Sequence, residues 1–249
     1  MKFEKNMVID VNKPYSVKNE MTKINLFPMP IYQIKIEPNL YDKEKIINDI
    51  EYNKSLQNFR NSTHQRIGRV NSNIHHSYND FYNDSFRIIN YKKLTEVYQK
   101  VFTDFFDNQI TTMKSFKWNF HIVNYSAMSE GQWMPNHSHL NNLYSNSGDK
   151  FDPAFACIHY LNFKKEHSPT TFENPIYFAE LASIAQPELM GTLDINDPEN
   201  SYLYETWDAH AEEDIMIIFP AGLKHEVKVQ GPTKEIRISI SSNIEISRI

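Results

Sequence analysis

The sequence predicts a mainly β protein with a barrel or jelly-roll core that is preceded by helices. From Phe116 onward, short β-rich segments follow one another, separated by turn signals such as Pro220–Gly222 and Gly231–Pro232. Many short strands with this punctuation are typical of closed or double-sheet β architectures. Neither a G-x-G-x-x-G fingerprint nor a P-loop is present, so a doubly wound nucleotide-binding fold loses its main support.

Composition and charge exclude several classes of protein. The chain has 249 residues, a formal net charge of −5 and 40% hydrophobic residues, which are ordinary values for a folded domain. One cysteine, Cys157, excludes an internal disulfide and a zinc ribbon. No apolar run approaches the roughly 18 residues of a membrane span, and Met1–Asn12 lacks the apolar centre of a signal peptide. We therefore expect a cytoplasmic protein. The acidic balance argues against non-specific nucleic-acid binding without excluding it.

The first half of the chain is expected to supply elements that pack on the β core. Residues 1–23 are polar and aperiodic and are interpreted as a flexible arm, and residues 24–114 as a strand and helices. Hydrophobic periodicity predicts a strand over Asn25–Glu37, a helix over Tyr41–Tyr52, loops over Asn58–Ser85 and a helix over Phe86–Ile110. The last helix has an apolar face that must pack on something large, most simply a sheet.

Residues 115–249 are interpreted as the β core, with an insertion at 164–213 that has few strand signals and is expected to include a lid-like part. The strands are predicted over Phe116–Tyr125, Phe155–Phe163, Thr170–Phe178, Asp214–Phe219, His225–Val229 and Glu235–Ile246.

Two histidine motifs stand apart from the other histidines. His137-Ser-His139 places two imidazoles at i and i+2, on the same face of a strand. An apolar strand at Ile215–Phe219 is followed by a tight turn at Pro220–Gly222, and His225 opens the next strand. In a jelly roll, that turn can bring His225 beside the earlier pair. A single histidine is more often a surface or core residue, but three neutral imidazoles with open coordination positions suit Fe, Mn, Ni, Cu or Zn.

The strand predicted over Glu235–Ile246 has an apolar face and a face with Arg237 and Ser239. If the polar face points to solvent, this is an ordinary edge strand. If it points into the barrel, Arg237 is a buried cation that needs a counter-charge. A guanidinium and a hydroxyl are the donors that the distal carboxylate of a small dicarboxylate requires. Tyr160 is a further candidate, whose hydroxyl either joins Arg237 or is tied to the backbone in the core.

These residues resemble the 2-oxoglutarate/Fe(II)-dependent oxygenases, which are double-stranded β-helix enzymes of cupin-like form with an H-x-D/E…H metal triad. His225-Glu-Val227 followed by Arg237-x-Ser239 matches the C-terminal half of that pattern. Cys157–Asn162 is similar to the strand of the prolyl hydroxylase branch whose Tyr contacts 2-oxoglutarate. A group of phage and marine-bacterial oxygenases is also similar over roughly residues 24–246, in Asn25–Pro28, Trp118, His137-x-His139, Thr171–Pro175 and Phe219–Pro220.

The resemblance implies a double-stranded β-helix backed by helices, with Fe(II) held by His137, His139 and His225. The family's usual carboxylate at the second position is His139 here. This departure leaves open whether His139 or a carboxylate such as Asp149 or Asp152 is the third ligand. Strand geometry favours His139.

The resemblance also implies 2-oxoglutarate as the co-substrate, with its far carboxylate bound by Arg237, Ser239 and Tyr160. With O2, such enzymes release succinate and CO2 and most often hydroxylate their substrate. We expect a small-molecule or peptide substrate. Three arginines between Gln57 and Asp84 either meet an anionic substrate or form a solvated loop; they are Arg60, Arg66 and Arg69. The sequence is also compatible with a homodimer.

Two other interpretations stay open. A three-His cupin-type metalloenzyme would not use 2-oxoglutarate and would not need an inward Arg237. The cupin pattern is incomplete here, because the Glu expected shortly after His139 is missing. A non-catalytic jelly-roll binding protein would have no tight metal site and would expose His137 and His139.

Overall fold

In the part of the chain that the structure describes, the strands form two antiparallel sheets, one of seven strands and one of four, with two α-helices beside the larger sheet. The computed structural model describes residues 22–26, 29–56, 75–76, 86–110, 115–140, 153–175 and 205–248. The predicted class, a mainly β double-stranded β-helix of jelly-roll form backed by helices, is confirmed.

The helices are α1 (Lys43–Leu56) and α2 (Lys92–Gln109), with a short 3-10 helix at Pro38–Leu40. The strands are β1 (Thr22–Leu26), β2 (Met29–Lys35), β3 (His75–His76), β4 (Phe116–Met128), β5 (Met134–His137), β6 (Pro153–Asn162), β7 (Thr170–Glu173), β8 (Thr206–Asp208), β9 (Ile215–Pro220), β10 (His225–Val227) and β11 (Arg237–Arg248).

The larger sheet has the order β1-β2-β9-β6-β11-β4-β3. Its strand β11 separates two environments, because successive side chains point to opposite faces. Ile238, Ile240 and Ile244 are buried in the cluster that also contains the apolar face of α2. The odd-numbered residues, which begin with Arg237 and Ser239, lie on the other face. The predicted packing of α2 on a sheet is therefore confirmed, and each fully buried apolar side chain stabilises this contact by about 1.5–3 kcal/mol.

The smaller sheet has the order β5-β10-β7-β8 and packs on the inner face of the larger one. Phe172 of β7 meets Phe219 of β9 edge to face, with ring centroids 4.9 Å apart. Tyr160 and Ile217, both from the larger sheet, are buried in the same cluster. The space between the sheets is thus apolar around these residues, and the polar face of β11 borders it.

Several predicted boundaries differ from the observed ones. Helix α2 begins at Lys92 and not at Phe86, and the side chain of Asn90 accepts a hydrogen bond from the Lys92 backbone N–H at 3.0 Å. Asn and Asp side chains compete with helix formation in this way, so they favour helix starts over helix interiors.

Two predicted irregular regions contain strands. Within the expected loops of Asn58–Ser85, the short β3 pairs with Ser126 and Ala127 of β4. Within the 164–213 insertion, β8 pairs with β7. Both strands have little signal of their own and form through pairing with a neighbour. Residues 176–204 of the insertion lie outside the described residues. So do residues 1–21 of the expected arm, whereas its last two residues begin β1. The domain boundaries stay predictions.

Candidate metal centre and anion site

The three predicted histidines come together at one end of the smaller sheet. His137 ends β5 and His225 begins β10, and the antiparallel register places them directly opposite each other. His139 follows β5, and its backbone N–H donates to the Ala221 carbonyl at 2.9 Å, in the turn that leads to β10. The candidate ligand atoms of the three imidazoles all lie within 4.8 Å of one another. This is the convergence that the two sequence motifs predict.

The hydrogen bonds of the three rings fix their tautomers. Each Nδ1 lies next to a carbonyl oxygen, which can only accept a hydrogen bond, so each Nδ1 carries the proton. The pairs are His137 with the Pro135 carbonyl at 2.8 Å, His225 with the Leu223 carbonyl at 3.0 Å, and His139 with the Asn243 side-chain carbonyl at 2.6 Å. Every Nε2 is thereby left with a free lone pair, the form in which a histidine binds a metal.

Burial keeps these imidazoles neutral. It lowers the pKa of His137, lowers the pKa of His139 to about 4, and lowers the pKa of His225 well below its ordinary value. Neutral imidazoles need not lose a proton before they bind a metal. The donor set therefore fits a first-row divalent ion such as Fe(II). Among the described residues, no carboxylate joins the cluster. Asp149 and Asp152, the alternative third ligands, lie outside them.

Arg237 is a cation between the two sheets with one unsatisfied nitrogen. Its side chain is only 1% exposed. Its Nε donates to the Ser168 carbonyl at 3.1 Å and its Nη1 to the Ser239 hydroxyl at 3.2 Å, whereas its Nη2 is buried without a hydrogen-bond partner. No carboxylate in the described ranges pairs with it. Burial lowers the pKa of Arg237, but a guanidinium stays protonated in proteins. The arrangement calls for an anion.

Tyr160 lies beside Arg237, and its side chain raises the pKa of the guanidinium against the effect of burial. The guanidinium carbon of Arg237 lies 5.2 Å from the ring centroid, in cation–π range. The Tyr160 hydroxyl donates to Thr170 Oγ1 at 2.7 Å and accepts from the Thr170 backbone N–H at 3.3 Å. The expected contribution of this hydroxyl to anion binding alongside Arg237 stays a prediction, since Thr170 already engages it.

Strand register connects the guanidinium to the histidines. On β7 and β10, Phe172 lies opposite His225, and Thr170 lies opposite Val227. Because residues i and i+2 share a face, Thr170 and Val227 are one step along the same face from His225. The Sδ atom of Met128 lies 3.9 Å from Arg237 Nη1, and Met128 packs against Val227. Arg237 is therefore linked to the strand that begins with His225 through Met128 and Val227.

Three polar residues near the histidines were not singled out from the sequence. Asn243 bonds to His139, and His121 lies opposite Asn243 on β4. Glu245 Oε1 approaches His121 Nδ1 at 3.6 Å. The alternation that selects Arg237 and Ser239 continues at odd positions to Asn243 and Glu245, so this signal could have found two of them. The arginine cluster near residue 60 lies outside the described residues.

Comparison with known proteins gives structural matches only. No protein-family model matches the chain, and no curated protein matches its sequence. A viral collagen prolyl hydroxylase from Paramecium bursaria Chlorella virus-1, solved with 2OG, is 12% identical, with a TM-score of 0.44 over 86% of this chain and 95% of that one. A Pseudomonas putida prolyl-4-hydroxylase is 10% identical, with a TM-score of 0.45 over 88% and 92%. A Trichoplax adhaerens prolyl hydroxylase, in complex with a peptide fragment of the hypoxia inducible factor oxygen degradation domain, is 12% identical, with a TM-score of 0.46 over 91% and 84%.

All three of these proteins are prolyl hydroxylases. None of the described helices is long and apolar enough to span a membrane. The roles of individual residues in this chain rest on its own geometry.

Proposed function

We propose that the protein is a non-haem Fe(II)- and 2-oxoglutarate-dependent dioxygenase that hydroxylates a small-molecule or peptide substrate and releases succinate and CO2. The observation that carries this proposal is the buried Arg237, which has no counter-charge in the described residues and is linked through Met128 and Val227 to the strand of His225. The cytoplasmic location and a homodimer stay predictions.

Charge balance favours a dianionic ligand. A divalent metal on three neutral histidines keeps its full charge, and Arg237 adds a further positive charge. Buried charges need partners, so the site favours a molecule with an anionic group at each end. 2-Oxoglutarate has an α-keto acid to chelate the metal and a distal carboxylate to meet Arg237. A carboxylate bound to a guanidinium also forms the stronger, charge-assisted type of hydrogen bond.

The proposal gives each part of the site a task. His137, His139 and His225 hold Fe(II) through Nε2, and the hydrogen bonds of their Nδ1 atoms orient the rings. Arg237 and Ser239 bind the distal carboxylate, while the Tyr160 ring, Phe172 and Phe219 exclude water. When bound, Fe(II) and 2-oxoglutarate supply the oxidative chemistry with O2, and the chain positions and shields them.

A three-His metalloenzyme that does not use 2-oxoglutarate is a second candidate. The absence of a carboxylate from the cluster, within the described residues, favours it. The buried Arg237 does not, because such an enzyme has no need for an unpaired inward guanidinium. Binding of 2-oxoglutarate separates the two candidates.

The test is thermal unfolding under anaerobic conditions, with Mn(II) alone and with Mn(II) plus 2-oxoglutarate. A ligand at about 100 times its Kd stabilises the native state by about 2.7 kcal/mol, which corresponds to roughly 5–10 °C for a chain of this size. A shift with 2-oxoglutarate beyond the metal shift, together with succinate release when Fe(II) and O2 are supplied, supports the oxygenase. A metal shift alone supports the second candidate. The absence of both shifts supports a non-catalytic jelly-roll protein.

A further inference from the structure

We infer that Asn243 is a positioning residue for the metal site. Its side-chain carbonyl fixes the tautomer and ring orientation of His139, the imidazole that stands where the oxygenase pattern has a carboxylate. The inference rests on the proposed function, because it concerns the same metal ion. It adds a residue that neither histidine motif contains.

His139 is held differently from the other two ligands. The Nδ1 atoms of His137 and His225 each donate to the backbone carbonyl two residues earlier, so local chain geometry orients those rings. The Nδ1 of His139 donates to Asn243, which is 104 residues away on β11 of the other sheet. The hydrogen bond at this Nδ1 therefore comes from a side chain across the core and not from the local backbone.

Because this hydrogen bond is buried, it sets which nitrogen of the His139 ring carries the proton. The N–O distance is 2.6 Å, and the two residues are only 5% and 2% exposed, so water does not readily replace the acceptor. If the amide of Asn243 were turned, its NH2 group would face Nδ1 and favour the proton on Nε2. That tautomer cannot bind a metal through Nε2. The amide carbonyl of Asn243 thus favours the tautomer of His139 that can bind a metal through Nε2.

The neutral amide also preserves the charge of the site. A carboxylate acceptor would make the His139 ring more electron-rich and would add a negative charge beside the metal. With Asn243, the three ligands and their partners remain uncharged, and the full positive charge faces the anionic co-substrate. Because Asn243 lies on the same strand and face as Arg237 and Ser239, β11 supplies both the anion contacts and the support for a metal ligand.

The test compares three variants at this position in the full chain. Asn243→Leu keeps a similar volume without an acceptor, Asn243→Ala removes the acceptor with less bulk, and Asn243→Asp retains an acceptor oxygen. Asn162→Leu is the matched control. Asn162 is also a buried asparagine of the larger sheet, but its amide donates to the Ile236 carbonyl. The readouts are anaerobic Co(II) affinity, by competition with a metal indicator, and the visible ligand-field spectrum of the Co(II) protein.

We expect Asn243→Leu and Asn243→Ala to weaken Co(II) binding about 10- to 100-fold, as is usual when a partner of a metal ligand is lost. Their Co(II) spectrum should change, whereas Asn243→Asp should recover affinity to within a few-fold of the parent. Asn162→Leu should leave affinity and spectrum at parent values even if it unfolds more easily. If a folded Asn243→Leu or Asn243→Ala protein keeps the Co(II) affinity and spectrum of the parent, the role of Asn243 is refuted. The proposed function is unaffected by that result. Failure of the parent to bind Co(II) would overturn the proposed function itself.

Discussion

Replacement of Arg237 by methionine should separate a functional cation from a structural one. Arg237→Met puts an apolar side chain of similar length where the guanidinium is buried with an unpartnered Nη2. We expect the free energy of unfolding of the ligand-free protein to change by less than about 1.5 kcal/mol, because two opposing effects nearly cancel. Affinity for 2-oxoglutarate should fall steeply.

The magnitudes follow from the contacts of the guanidinium. Burial of a lone cation costs several kcal/mol, and the substitution removes that cost. The substitution also loses the two hydrogen bonds to Ser168 and Ser239, each worth about 1.5–3 kcal/mol for a charged donor. For the ligand, truncation of one partner of a buried charge pair costs about 2–5 kcal/mol, which is roughly a 30-fold to several-thousand-fold loss in affinity.

Urea unfolding of the metal-free protein and anaerobic calorimetry of 2-oxoglutarate binding to the Mn(II) protein measure the two quantities. Arg87→Met is the control, because Arg87 is a partly exposed guanidinium that pairs with Asp49 at 3.0 Å on the helical side of the sheet. It should leave the Kd for 2-oxoglutarate unchanged. A loss of more than about 3 kcal/mol of stability in Arg237→Met, with unchanged 2-oxoglutarate affinity, would show a structural cation and refute the reasoning.

Three further predictions concern the metal site, a buried ion pair and acid stability. His225→Ala should abolish the thermal shift caused by Mn(II), whereas alanine at the exposed His210 should retain it; a shift that survives in His225→Ala would place the metal elsewhere. Lys43→Met should lower the free energy of urea unfolding by about 3 kcal/mol, because it leaves the carboxylate of Asp214, 2.6 Å from the Lys43 amine, buried without its cation; a loss below about 1 kcal/mol would contradict this. Burial lowers the pKa of His159 to about 3, so the unfolded chain binds a proton there below about pH 6.5 while the folded chain does not, and stability falls as pH falls from 6.5 to 3. His159→Phe should remove up to about 1.4 kcal/mol per pH unit from the slope of unfolding free energy between pH 6 and 4, and an unchanged slope would contradict the assignment.

Local periodicity was sufficient to predict that the three histidines converge and that Arg237 and Ser239 share one face of a strand. The i and i+2 spacing of His137 and His139 places them on one side of the chain, and the turn at Pro220–Gly222 explains how His225 returns to them. The alternation along β11 separates Arg237 and Ser239 from the isoleucines that pack on the helices. Each of these features depends on residues within a few positions of one another, which a single sequence displays.

Contacts that depend on long-range register could not be predicted in this way. Asn243 becomes a partner of His139 only because β11 and the end of β5 meet across two sheets. Thr170 engages the Tyr160 hydroxyl because β7 lies against β6 in the folded core, and no spacing in the sequence indicates that contact. The two-residue strand His75–His76 has too few residues for a periodic signal and is defined by its pairing with β4.

The most direct test of the central claim is an anaerobic titration of the Fe(II)-loaded protein with 2-oxoglutarate, followed by visible absorption. An α-keto acid chelated to Fe(II) should give a charge-transfer band. We predict that the band appears, saturates at one 2-oxoglutarate per chain, is absent in His225→Ala, and needs at least about 30-fold more 2-oxoglutarate in Arg237→Met. A parent protein that binds Fe(II) but gives no band, or a band of equal strength and affinity in both variants, would contradict the account.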